Sequence, residues 1–231
     1  PTTPEGVLSE AGALNGTLLS AAFGPSPQRP FYSTFSVDLT SAYSEKIASY
    51  IRTFCFLNLD NAETPAALII LDNITTADPT FRKYWQVNTL TPPETTDNGV
   101  ILRNADLGLS GKVTLSMLRP GPDERALQVL SGEDAYNVFG NQYTPPKPDR
   151  PEGNGHRVMF SPATEQTNDV FLTVLSMSDE KAPELPVILI ESPEAFQLTL
   201  ADRVVVLSRT GKLLDRPLQV DVSADGDTQL L

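Results

Sequence analysis

One cysteine and one histidine in 231 residues remove several kinds of chemistry at once. A lone Cys55 forbids an internal disulfide framework and any thiolate metal cluster. Within Phe54-Cys55-Phe56-Leu57 it reads as a small buried hydrophobe. A lone His156 forbids a multi-histidine zinc site and leaves a Ser-His-Asp arrangement one possible base. Basic residues are also sparse, 17 Lys and Arg against 29 Asp and Glu, for a formal net charge of -12. Such a surface is repelled by phosphate backbones and acidic lipid, so neither nucleic acid nor a membrane is expected as a partner. No apolar run approaches the roughly 18 residues of a membrane span, and the longest, Ala66 to Leu71, is strand-sized. Neither a Walker-type Gly-Lys-Ser/Thr ending nor G-x-G-x-x-G occurs, so nucleotide chemistry is not expected. The opening Pro1-Thr2-Thr3-Pro4-Glu5 has neither an initiator Met nor a basic and apolar leader, as in a processed mature form or an excised fragment.

What is present is strand material. Segments rich in β-branched and aromatic residues recur along the chain between clusters of Pro, Gly, Asn and Asp, at spacings that do not suit amphipathic helices. Strands are predicted at Thr17 to Phe23, Phe31 to Val37, Ile47 to Leu57, Ala66 to Leu71, Phe81 to Leu90, Val100 to Arg103, Lys112 to Leu118, Arg157 to Phe160, Val170 to Met177, Val187 to Ile190, Phe196 to Leu200 and Arg203 to Leu207. Helix is confined to Leu39 to Ser44 and Gly132 to Val138. The class is therefore all-β, a two-layer antiparallel sandwich of the supersandwich kind, in one domain over residues 1–222 with a flexible tail at 223–231. In Phe31 to Val37 the alternation points Phe31, Phe35 and Val37 inward. Val170-Phe171-Leu172-Thr173-Val174-Leu175 is apolar on both sides and belongs in the middle of the core, with Val170, Leu172 and Val174 on one face and Phe171 and Leu175 on the other. Residues 141–154 form a proline-rich surface loop. Ser208-Arg209-Thr210-Gly211-Lys212 turns the chain toward Leu213-Leu214.

Candidate chemistry is thin. Asp38, Asp60 and Asp72 fall at predicted strand ends, where short carboxylates cap turns. Ala224-Asp225-Gly226-Asp227 resembles part of a calcium loop but lacks the downstream bidentate Glu. His156 follows the proline-rich loop at the start of a strand and is the one candidate acid or base. Tyr84 and Trp85 are adjacent, so alternation allows one of them on an exposed sugar-stacking face and sends the other to the core.

A set of motifs in fixed order carries a resemblance. Asp38-Leu39-Thr40-Ser41-Ala42-Tyr43, then Arg52-Thr53-Phe54, Leu71-Asp72-Asn73-Ile74, Lys83-Tyr84-Trp85-Gln86-Val87-Asn88-Thr89 and Pro92-Pro93 resemble the β-sheet domain of heparinase II/III-like polysaccharide lyases. Arg157 to Pro162 and Asp169 to Leu175 resemble its closing strands, and the likeness runs from Asn15 to Leu207. It implies a sandwich packed against a helical (α/α) toroid with a glycan cleft between them. It also implies β-elimination of uronic-acid-containing chains, in which a base removes the C5 proton and a Tyr or His assists as acid. The toroid carries most of that machinery, and an all-β chain has no counterpart to it. The family's metal is held by an Asp in the Asp-Leu-Thr element, a His in the Trp-x-x-His-Thr strand and an upstream His. Asp38 matches the first, Asn88 stands in place of the second, and Leu14-Asn15-Gly16-Thr17-Leu18 has no His, so neither metal nor other cofactor is expected.

The resemblance thus implies the sandwich part of a polysaccharide lyase, not catalytic without a helical domain or subunit, with Trp85, Tyr84, Tyr43 and Arg52 as the candidate glycan-contacting residues. The alternative is a carbohydrate-binding or structural partner module on a degenerate lyase-type fold. Either role implies an extracellular or periplasmic location.

Overall fold

Short apolar segments punctuated by turn residues fold into an antiparallel β protein with no α-helix among the described residues. The computed structural model describes residues 16–103, 110–138, 140–143 and 155–210, together with the strand segments 219–221 and 228–230. Asn15, most of the proline-rich stretch, the Leu213-Leu214 arm and the Asp225 and Asp227 pair lie outside them. In chain order the strands are β1 (Thr17–Pro25), β2 (Pro30–Asp38), β3 (Ile47–Asn58), β4 (Ala66–Thr76), β5 (Trp85–Thr89), β6 (Glu94–Thr96), β7 (Gly99–Arg103), β8 (Lys112–Arg119), β9 (Arg125–Ser131), β10 (Asn137–Val138), β11 (Asn141–Gln142), β12 (His156–Pro162), β13 (Asn168–Ser178), β14 (Val187–Glu191), β15 (Ala195–Leu200), β16 (Arg203–Ser208), β17 (Gln219–Asp221) and β18 (Thr228–Leu230). The last of these, inside the segment expected to be a tail, pairs with β17. The two expected helices are single 3-10 turns, Thr40–Ala42 and Gly132–Tyr136.

A central eight-stranded sheet in the order β1-β2-β3-β4-β13-β8-β7-β6 is covered on each face by a smaller sheet. On one face the five-stranded meander β14 to β18 contributes Phe196, Leu198, Leu200, Val205 and Leu207, which pack with Tyr32, Cys55, Leu57, Ile69, Leu71, Leu172 and Val174. On the other, the three-stranded sheet β5-β12-β9 sends Trp85, Val158 and Phe160 against Ile70, Val100, Leu115, Met117 and Phe171. The antiparallel sandwich is as expected, and this second covering sheet gives it a further layer. Strand β13, paired with β4 and β8, serves both cores as its sequence requires, with Leu172 and Val174 on one side and Phe171 and Leu175 on the other. Full burial of such side chains stabilises by roughly 1.5–3 kcal/mol each.

Strand β2 reverses its expected orientation. Tyr32, Thr34 and Ser36 are buried, while Phe35 is 42% exposed and Phe31 and Val37 are half-buried. The cause lies in register: Tyr32 is opposite Leu57 and Thr34 opposite Cys55 on the face that meets the meander. Phe35 is opposite Phe54, with ring centroids 4.6 Å apart, on the other face near the sheet edge. The inward hydroxyls are satisfied: Thr34 donates to the Phe54 carbonyl at 2.8 Å, and Ser36 bonds Thr53.

The predicted strand over Phe81 to Leu90 is regular only from Trp85. Lys83 precedes it with its ammonium turned inward, 2.7 Å from Asp169 Oδ2.

Candidate functional site

The outer face of the three-stranded sheet gathers the largest share of the residues singled out from sequence. Antiparallel register places Asn88 beside Arg157 beside Leu130, and Gln86 beside Met159 beside Gln128. With the intervening Trp85, Val87, Val158 and Phe160 committed to the core, period-2 alternation leaves these side chains, four of them polar, on the outer face. The 3-10 turn at Gly132–Tyr136 and the β10-β11 hairpin overhang it. Two adjoining clefts result, of about 460 Å³ and about 390 Å³, which share Gln86, Val138 and Arg157. Tyr84 and Arg82 line the first. Asn88, Tyr136 and His156 line the second.

His156 opens β12 directly across from Ser131, and its Nδ1 lies 2.6 Å from Ser131 Oγ. Gly155 permits the close approach of this strand end to β5, since a Cβ there would stand 2.8 Å from the Thr89 carbonyl oxygen. No Asp or Glu lines either cleft among the described residues, so the Ser131 and His156 pair lacks the carboxylate that would orient the imidazole as a base. The pair can hold a ring tautomer and offer hydrogen bonds to a ligand. A wider cleft of about 740 Å³, lined by Leu90, Arg103, Lys112, Met177 and Asp179, contains none of the sequence-predicted residues.

Trp85 is the core member of its pair, 7% exposed and edge-on to Phe160 with centroids 6.2 Å apart. Its ring is therefore closed to a stacking ligand, and Tyr84 takes the outward place. Tyr43 and Arg52 are brought together elsewhere, at the margin of the central sheet. Tyr43, half exposed, packs on Tyr50 at 5.3 Å, and the Arg52 guanidinium lies 5.7 Å from the Tyr50 ring centroid. Arg52 grips Asp72 with both ends, Nε to Oδ1 at 2.5 Å and Nη2 to Oδ2 at 2.9 Å, and Tyr50 donates its hydroxyl to the same carboxylate at 3.0 Å. Burial, reinforced by the neighbouring carboxylate, holds the Tyr50 phenol well above its ordinary pKa. Asp72 is thus an interior strand residue, 1% exposed, not the strand-end cap its sequence position suggested. Its partners occupy Arg52 in structure.

The donors that the family resemblance implies for a metal do not converge. Asp38 closes β2 in the central sheet, where its Oδ1 accepts from the Thr40 amide at 2.9 Å. Asn88 is on the outer face of another sheet, beside Arg157. Among the described residues no three His, Cys, Asp or Glu side chains cluster as metal ligands would. The residues present do not fit the ion, and no chemistry is routed through one.

Reasoning from sequence missed Gln86, Gln128, Ser131 and Arg157. Alternation in Gln86-Val87-Asn88 and Arg157-Val158-Met159 signals an outward polar row in each strand, but nothing in the residues announces that the two rows pair.

The fold and site define an antiparallel β-sandwich with a polar cleft on one covering sheet, lined among the described residues by no Asp or Glu. No family model matches the sequence, and no curated protein matches it. Among solved structures, heparan sulfate lyase HepC from Pedobacter heparinus is similar at 13% identity and a TM-score of 0.53, over 86% of this chain and 28% of that one. A mutant of the same enzyme gives 12% identity and a TM-score of 0.52 over 86% and 28% of the two chains. A structure of heparinase III gives 10% and 0.50 over 84% and 27%. The β-sandwich of this chain is structurally similar to part of those proteins, and at these identities the likeness is one of fold. The chain spans little more than a quarter of the length of the structures it matches.

Proposed function

We propose that this chain is the β-sandwich part of a lyase-type protein that acts on uronic-acid-containing polysaccharide by β-elimination together with a helical domain or subunit. The observation that carries the reading is the likeness of fold to heparan sulfate lyase over 86% of this chain, at a TM-score of 0.53. The outer face of the three-stranded sheet is the glycan-contacting surface, with Tyr84 and the amides of Gln86 and Asn88 meeting sugar hydroxyls. A wet, amide-rich cleft with a half-buried aromatic suits a saccharide better than an apolar ligand. Proton abstraction at C5 falls to the partner, because among the described residues no carboxylate lines the cleft beside His156. This role belongs outside the cytoplasm, in the periplasm or beyond the cell, and no described helix is long and apolar enough to cross a membrane.

The test is an ultraviolet assay for unsaturated uronate on heparin, heparan sulfate, chondroitin sulfate and alginate. The chain alone is expected to release none, and addition of a helical partner is expected to start turnover. Turnover by the chain alone that survives His156→Ala contradicts the division of labour.

A further inference from the structure

Arg157 is 7% exposed. Its Nη2 donates to the backbone carbonyls of Asn137 and Asp134, and its buried Nε meets no acceptor. Two other buried cations have a carboxylate, Lys83 at 2.7 Å from Asp169 and Arg203 against Asp202, while Lys112 donates to the Ala182 carbonyl at 2.6 Å and lies outside both clefts. Among the described residues no carboxylate stands within ion-pair distance of Arg157. A guanidinium keeps its charge at any physiological pH, and withdrawing that charge from water without a counter-ion is costly. The molecule carries that cost at a residue that lines both adjoining clefts.

The walls indicate what would relieve it. In a protein of net charge -12, neither cleft is lined by a described Asp or Glu, while Arg82, His156, Gln86 and Asn88 all present groups able to donate hydrogen bonds. A cationic, donor-lined hollow on an acidic surface concentrates anions and excludes the protein's own carboxylates. We propose that this cleft seats an oxyanion on Arg157, a carboxylate or sulfate ester carried by an acidic saccharide. The saccharide clause rests on the function proposed above, whereas the oxyanion seat rests on Arg157 and its surroundings. Carboxylate and sulfate share the pair of acceptor oxygens that a guanidinium recognises, so the chemistry is common to both and the source is a matter for measurement.

The experiment uses the full chain. Arginine Nε–H resonances of the wild type are followed by NMR during titration with sodium acetate and with sodium sulfate, and a saturable shift of the Arg157 signal with either is expected. Absence of a shift with both overturns the seat. Affinities are then measured for an oligogalacturonate, a sulfated neutral oligosaccharide and an unmodified neutral oligosaccharide of equal length. At least one acidic chain should bind about tenfold more tightly than the neutral one, the worth of a single charge-assisted hydrogen bond, and which of them does so identifies the source. Arg157→Gln should abolish that preference; a preference that survives overturns the seat. If Arg157→Gln fails to fold, Arg157→Lys, which keeps a charge but loses the paired donors, is expected to weaken the preference several-fold, and an unchanged preference counts against the seat. Equal binding of acidic and neutral chains overturns the seat and leaves the glycan reading standing. A saturable small-ion shift with no saccharide binding supports the seat and removes the glycan reading.

Discussion

Lys83 and Asp169 form a buried ion pair, with side chains 6% and 1% exposed. The pair is tolerated because the ammonium has further acceptors, the Gln166 carbonyl at 2.5 Å and Thr76 Oγ1 at 3.2 Å. A pair of this kind stabilises little against an apolar substitute, but losing one member strands the other charge. Asp169→Ala is expected to cost about 3–5 kcal/mol in urea denaturation, and Lys83→Met combined with Asp169→Leu to recover most of it. A cost below about 1 kcal/mol for the single variant would show that water reaches the ammonium. Cys55 supplies a pH dependence. Burial pushes its thiol from 9.0 up to about 12, so the folded state keeps a proton that the unfolded state releases. The contribution to stability is complete below the unfolded value and disappears as pH rises between the two. Stability measured in steps across that window should fall less steeply in Cys55→Ala than in the parent. Parallel slopes would contradict the assignment.

Among the elements, β13 was the most legible in sequence, since a run apolar on both sides has only one comfortable place, between two cores. Strand β2 was the least legible. Its two faces, Phe31-Phe35-Val37 and Tyr32-Thr34-Ser36, differ by a one-residue phase, and hydrophobicity favours the wrong one. What decides is the opposite strand, which sets Cys55 and Leu57 against Thr34 and Tyr32. The same holds for the site, where alternation turns Gln86, Asn88 and Arg157 to the outer face but cross-strand register assembles them. Individual strands are local in the chain, whereas their pairing is not. The inverted face of β2 makes a direct prediction from thermal or chemical denaturation. Phe35→Ser should cost about 1 kcal/mol, the scale of an exposed aromatic pair. Tyr32→Ala should cost about 3–5 kcal/mol, as large-to-small core substitutions do. Tyr32→Phe should be neutral or stabilising, because the buried Tyr32 hydroxyl has no hydrogen-bond partner. The opposite order for Phe35 and Tyr32 would restore the orientation read from sequence.

At the scale of the whole molecule, charge and fold bear on function together. A net charge of -12 opposes an acidic polymer over most of the surface, and the cleft holding Arg157, lined by no described Asp or Glu, is where that opposition is weakest. The likeness of fold to heparan sulfate lyase extends over 86% of this chain but only 28% of the enzyme. The glycan surface proposed for this chain is the outer face of β5, β12 and β9. It is tested by an NMR titration of the full chain with a heparan sulfate oligosaccharide, mapping backbone amide shifts. Saturable shifts clustered at Gln86, Asn88, Gln128 and Arg157 are expected, with the Phe35, Phe54 and Phe56 face unchanged. Shifts confined to that aromatic face, or to the Tyr43 and Arg52 cluster, would contradict it.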